Sequence, residues 1–189
     1  MIEGREGGAG KVNIVVSDGG FEIGKDAQGA HLENIQELLS IRCILAECFI
    51  ALSVLHPGGN FVCKLFDTFS DATVSILFVF CHLFDRVAIV KPYRSRIVNS
   101  ERYLVAKGLK SRDSAAFQRA LALFEHVHAI NSDADVYETL VPVEEMLRDA
   151  AFCASIREMN DQLVDKQIEG LKLVMDEVRD RSHVHHMMT

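Results

Sequence analysis

Apolar and polar positions divide the chain into short β-branched runs and longer helical stretches. Val12-Asn-Ile-Val-Val16 is a compact apolar run and predicts a buried strand. Ser17-Asp-Gly-Gly20 follows it as a turn, and Phe21 to Asn34 has no clear period and reads as a loop. From Ile35 to His56, apolar residues recur at helical spacing (Leu38, Ile41, Leu45, Phe49, Leu52), which predicts a long helix ended by Pro57-Gly58-Gly59. Phe61 to Phe66 predicts a second strand, Thr73 to Phe84 a helix with Asp71 near its start, Val87 to Val90 a third strand and Tyr103 to Ala106 a fourth. Lys91 to Glu101 between the last two is a polar loop. Arg112 to Ala129 and Glu144 to Arg181 predict helices.

Strands that alternate with helices imply βαβ units and a mostly parallel sheet. The short connection before the last strand predicts an antiparallel partner near an edge. The expected class is α/β, with a Rossmann-like mixed sheet followed by helices. The expected organisation is a flexible lead-in over 1–11, the α/β part over 12–110, a helical extension over 111–182 and a disordered tail over 183–189.

Composition narrows the choices. The chain has 189 residues, 49% hydrophobic and 25% charged, with 3 Pro and 12 Gly, so it is neither collagen-like nor wholly disordered. The most apolar stretch, Ile35 to Leu55, carries Glu37, Arg42 and Glu47 and makes a poor membrane span. Met1 to Lys11 is polar and Gly-rich and has no secretory-signal pattern. The cysteines at 43, 48, 63, 81 and 153 lie in apolar runs without metal-ligand spacing, so they are expected as buried thiols of a reducing compartment. His183, His185 and His186 sit in the terminal segment and are read as tail residues, not metal ligands.

The net charge of −7 argues against bulk coating of nucleic acid, but it hides a strong asymmetry. Residues 1–84 carry −5, residues 85–112 carry +6 and residues 113–189 carry −8. A local basic segment of that kind suits phosphate contacts.

Open α/β sheets bind ligands beyond the carboxyl ends of their strands. Asp18 sits there after the first strand, and Lys64 lies near the exit of the second. Glu101 precedes the fourth strand, and an antiparallel fourth strand would bring it to the same rim. A strand lysine among Cys63, Leu65 and Phe66 needs a partner, because an unpaired buried ammonium is costly.

Three motifs in this order carry a resemblance: Ser17-Asp-Gly-Gly-Phe-Glu22, then Gly58-Gly-Asn-Phe-Val-Cys-Lys-Leu-Phe-Asp67, then Lys91-Pro92 with Ser95-Arg96 and Asn99-Ser-Glu-Arg-Tyr103, followed by Lys107-Gly-Leu-Lys110. They resemble the RrmJ/FtsJ-type ribose 2′-O-methyltransferases, and within them the eukaryotic cap-specific mRNA group. The resemblance implies S-adenosyl-L-methionine as cofactor and capped mRNA as substrate, with methylation of the first transcribed nucleotide. It implies a nuclear protein, with the cytoplasm as alternative. Of the family's Lys-Asp-Lys-Glu tetrad, it implies that Asp18, Lys64 and Glu101 are catalytic, with Asp18 also beside the cofactor. It implies that Ser95, Arg96, Asn99 and Ser100 meet RNA, and that Glu22 approaches the cap base.

The pattern also departs from the family. The tetrad's first Lys and the Gly-rich cofactor loop have no counterpart upstream of Asp18, and Lys11 is wrongly placed for the role. Ile97 stands where these enzymes usually have Pro, and Gly24 to Glu33 reads as an insertion. The expectation is therefore the second half of a catalytic domain, with Lys64 held protonated, weak activity in isolation and a hydrophobic edge at 12–16 prone to self-association. The alternatives are a non-catalytic RNA-binding scaffold and an FtsJ-type enzyme of rRNA or tRNA.

Overall fold

The computed structural model describes residues 12–20, 36–129 and 139–187. Their elements run β1 (Val12–Ser17), α1 (Gln36–Val54), β2 (Leu55–Leu65), α2 (Asp71–Leu83), β3 (Phe84–Val90), β4 (Arg102–Leu109), α3 (Ala115–Ala129), α4 (Val143–Arg148) and α5 (Ala150–Met187). The loop over Phe21 to Asn34, with Glu22 and the Gly24–Glu33 insertion, and the lead-in with Lys11 lie outside the described residues. So do the side chains of His183, His185 and His186.

The four strands form one mixed sheet in the order β1-β2-β4-β3. β1 and β2 are parallel, and β4 runs antiparallel to both β2 and β3. The reversed strand thus lies one place in from the β3 edge. β4 starts where β2 ends, with Leu65 opposite Arg102 and Lys64 opposite Tyr103. That register brings residues far apart in sequence to one rim.

Alternation along the strands gives the sheet two unlike faces. Phe61, Cys63 and Leu65 face one side with Leu104 and Ala106, and all are fully buried. Helices cover this side: Phe80 of α2 meets Phe61 at 5.5 Å between ring centroids, stacks on Phe84 at 5.3 Å and meets Phe124 of α3 edge-on at 6.2 Å. On the other face, Ile14 and Val16 of β1 are 58% and 65% exposed. The strand expected to be buried is therefore an edge strand with one open apolar face. A β-branched run reports a tendency to extend, and it does not say what covers it.

Other details correct the sequence reading. α1 ends at Val54, before Pro57-Gly58-Gly59, which lies within β2. There the register steps from Val12 opposite Leu55 to Ile14 opposite Asn60, a bulge that takes up the extra residues, with Gly58 at φ 83°. Leu38 is 37% exposed, because the buried stripe of α1 runs through Ile41, Ile44, Leu45, Cys48 and Leu52. Cys81 is exposed, whereas Cys48 and Cys63 are buried. The C-terminal helical stretch breaks at Asp149, whose Oδ1 caps α5 by accepting from the Phe152 N–H at 2.9 Å. α5 continues through Met187, past the point where a tail was expected, since no Gly or Pro interrupts 171–187. No described helix is long and apolar enough to cross a membrane.

α2 begins at an interlocked cap. Ser70 Oγ accepts from the Thr73 N–H at 3.2 Å. The carboxylate of Glu37 at the start of α1 accepts from the Phe69 N–H at 3.1 Å, the Ser70 N–H at 2.9 Å and Ser70 Oγ at 2.6 Å. Glu37 is 8% exposed, and these three donors satisfy a charge that would otherwise be costly to bury.

Candidate functional site at the carboxyl rim of the sheet

Asp18 and Lys64 meet at the carboxyl ends of β1 and β2. Lys64 Nζ lies 3.0 Å from Asp18 Oδ1 and donates to the Asp18 carbonyl at 3.3 Å. The lysine side chain is 14% exposed and the aspartate side chain 63%. Parallel pairing of Ser17 with Cys63 sets this contact, because it places the next residue of each strand side by side. Gly20 keeps the approach open: a Cβ there would stand 3.1 Å from Lys64 Nζ. The Lys64 ammonium also lies 5.9 Å from the Phe66 ring centroid.

Tyr103 adds a third group that the sequence reading did not single out. Its hydroxyl donates to Asp18 Oδ1 at 3.3 Å. Partial burial raises its phenol above the usual range, as do the carboxylates of Glu101 and Asp18. The signal in the sequence was its place at the end of Asn99-Ser-Glu-Arg-Tyr103, and the register opposite Lys64 brings it to the pair.

Glu47 of α1 was missed as well. Its Oε1 accepts from the Gly19 N–H at 2.9 Å, and its Oε2 accepts from Cys63 Sγ at 3.3 Å. It ties the turn carrying Asp18 to the helix layer. A Cβ at Gly19 would displace the ends of the Glu47 and Cys43 side chains and so disturb this hydrogen bond. The available signal was a carboxylate between apolar residues Ala46 and Cys48 in a mostly apolar helix.

Glu101 stands at the head of β4, on the rim as expected, and its Oε1 accepts from Ser95 Oγ at 3.4 Å. The loop between β3 and β4 is organised around Lys91. Its Nζ donates to the Asn99 carbonyl and to Asn99 Oδ1, both at 2.8 Å, and to the Glu101 carbonyl at 3.0 Å. Burial lowers the Lys91 amine, Arg102 lowers it further, and Glu101 and Asp67 oppose both. Ser95 Oγ also donates to Asn99 Oδ1 at 3.3 Å, so the side chains of Ser95 and Asn99 are used to shape the loop. Arg96 is exposed. Ser100 is only partly exposed and lies close enough to Asp67 to favour its carboxylate against burial.

Beneath the rim, Arg102 is 2% exposed. It donates to the Phe66 carbonyl from Nε at 3.2 Å and Nη2 at 3.1 Å, to Thr68 Oγ1 at 3.2 Å and to Asn160 Oδ1 of α5 at 3.2 Å. Burial lowers its guanidinium, while Asp67 and Glu37 hold it up. Asp67 is raised, chiefly by burial, against the opposing pull of Ser100 and Arg102. A carboxyl raised on folding favours the native state below its unfolded value of about 3.9 and loses that advantage as pH rises through the folded value. Asp67→Asn removes the charge but keeps an acceptor for Ser100. It is expected to raise the melting temperature at pH 7 and leave it little changed at pH 3.5, as followed by circular dichroism. An equal shift at both pH values would contradict the assignment.

The acid, amine and phenol gather at the carboxyl rim of the sheet, where α/β domains place their ligand sites. The sequence profile of the FtsJ-like methyltransferase family matches residues 2–109. The chain belongs to that family. It is 36% identical over 166 residues to the cap-specific mRNA (nucleoside-2′-O-)-methyltransferase 1 of Trypanosoma cruzi, covering 87% of this chain and 43% of the relative. It is 37% identical over 173 residues to the protein of the same name from Danio rerio, covering 89% and 20%. For the Homo sapiens protein of that name the identity is 34% over 170 residues, covering 89% and 20%. The chain thus spans under half the length of these relatives.

Proposed function

We propose that the rim carries transfer of a methyl group to the 2′-hydroxyl of the first transcribed nucleotide of capped mRNA. The single observation that carries the reading is the Lys64–Asp18 pair at 3.0 Å, on strands of a family whose curated relatives bear the cap-specific name. S-adenosyl-L-methionine, when bound, supplies the methyl group as a sulfonium electrophile. Asp18 suits that cation chemically: its carboxylate is mostly exposed, and both Lys64 and Tyr103 bond to Oδ1, leaving Oδ2 to neither.

Lys64 is the group placed to hold the ribose hydroxyl. In the arrangement seen it is a donor to Asp18, which orients Nζ across the rim. Orientation alone accounts for much of such a step, because in-line attack gains greatly from alignment. Glu101, bonded to Ser95, adds a carboxylate at the head of β4 on the same rim. Arg94 and Arg96, the exposed cations of the β3–β4 loop, supply phosphate contacts, while Ser95, Asn99 and Ser100 act by shaping the loop. These roles suit a nuclear enzyme acting on new transcripts.

The test is transfer of labelled methyl from S-adenosyl-L-methionine to cap-0 RNA by the purified 189-residue chain, with nuclease digestion to locate the label. Label on the first nucleotide's ribose is expected. Label on an internal rRNA- or tRNA-type site favours the other FtsJ-type reading, and RNA binding without transfer favours the scaffold.

The open apolar face and edge position of β1 support self-association through residues 12–16. A concentration-dependent dimer is the expected result of sedimentation. A monomer at every concentration would refute it.

A further inference from the structure

The β3–β4 loop consists of two consecutive turns that do different things. In the first, the Ser95 N–H donates to the Pro92 carbonyl at 2.9 Å, which puts Tyr93 and Arg94 at the two corners. In the second, the Asn99 N–H donates to the Arg96 carbonyl at 3.3 Å, which puts Ile97 and Val98 at the corners. The second turn is seated on α5, where Ile97 and Val98 lie so close to Gly170 that a Cβ there would overlap Ile97 Cγ2. Lys91 fastens the loop from inside through Asn99 and Glu101.

Tyr93 is the exposed product of that construction. Its relative exposure is 102%, so the ring touches almost nothing of this chain. Of the large hydrophobic side chains counted as exposed, Phe69 at 62% is the next aromatic. The turn fixes the backbone at the corner, so stacking on a flat partner has to order only the two side-chain torsions of the tyrosine. Its sequence neighbours are Arg94 and Arg96, both exposed, within the segment of charge +6. The loop leads directly to Glu101 and to Tyr103, which bonds Asp18. Single-stranded nucleic acid is held by this combination: aromatic faces stack bases while cations follow the backbone.

We infer that Tyr93 is a base-stacking platform for the RNA strand, presented by a turn that the Ile97–Gly170 contact holds against α5. This rests on the reading of the rim as an RNA site and assigns it a base-contacting residue. Stacking is tolerant of base identity, so Tyr93 would contribute affinity and strand direction, with little sequence preference.

The chain has no Trp, so Tyr93→Trp introduces a single indole whose emission reports directly on stacking. The probes are a short single-stranded oligoadenylate and an abasic oligomer of the same length. Saturable quenching by the first and little by the second is expected. In parallel, anisotropy of a labelled oligoadenylate is expected to show Tyr93→Ala weakening binding roughly 5- to 150-fold, with Tyr93→Phe close to wild type. Wild-type binding that Tyr93→Ala leaves unchanged would overturn the platform and leave the RNA reading of the rim intact. Equal quenching by the abasic oligomer would overturn it too, since backbone charge alone would then explain the signal. Failure of the wild-type chain to bind either probe would overturn both readings.

Discussion

Lys64→Ala is expected to lower methyl transfer to cap-0 RNA by about 10²- to 10⁴-fold, the usual contribution of a positioned acid–base group. That range corresponds to roughly 3–5 kcal/mol of transition-state stabilisation. The loss should fall on kcat, with RNA affinity nearly unchanged, because Lys64 is recessed between Asp18 and Phe66 while the exposed cations lie on the loop. Lys64→Arg should not restore activity. A longer, planar, forked guanidinium cannot reproduce a point donor in a gap only 3.0 Å from the Asp18 carboxylate. The variant should still fold, since the face of β2 that bears Lys64 is the less buried one. Transfer that survives Lys64→Ala within a few-fold would remove the lysine from the mechanism.

The second large effect concerns stability. Arg102→Met keeps an apolar stem in the core and deletes the guanidinium. It leaves the Phe66 carbonyl, Thr68 Oγ1 and Asn160 Oδ1 short of a donor, and it removes the cation that offsets Asp67 and Glu37. Breaking a buried charge network from one side costs about 3–5 kcal/mol. For a chain of this length that is a fall in melting temperature of roughly 6–20 °C. Because Asn160 also donates from Nδ2 to the Thr68 carbonyl at 3.2 Å and accepts from Thr68 Oγ1 at 2.7 Å, Asn160→Ala and Arg102→Met should be strongly non-additive. Melting curves of the two single variants and the double variant measure this. Additive shifts would mean that α5 is not tied to the rim through Arg102.

Much of this architecture is legible in the residues. The β-branched and apolar runs locate all four strands, and the short connection before Tyr103 reveals the reversed one. Asp18, Lys64 and Glu101 fall on one rim because strand ends and a reversed strand leave them nowhere else. What stays hidden are contacts made across the fold. Glu47 is one of several polar positions in a mostly apolar helix until Gly19 is seen against it. Asn160 and Gly170 are ordinary helix residues until α5 is laid beside Thr68 and Ile97. The exposure of β1 is hidden for the same reason, since periodicity shows which residues share a face and not what lies over it.

The strand order has a further consequence for how the rim holds together. β4 is hydrogen-bonded on both sides, whereas β1 is paired among the described residues to β2 alone. Local opening therefore begins at the edge strands, β1 and β3, and amide protons of β1 should exchange with solvent well before those of β4. Asp18 follows one of these edge strands, while Lys64 and Tyr103 stay on the slow ones. The ion pair can thus dissolve through a partial excursion that leaves the aromatic core folded. Anything that pairs with the outer edge of β1 would raise the free energy of that excursion and lengthen the lifetime of the assembled rim.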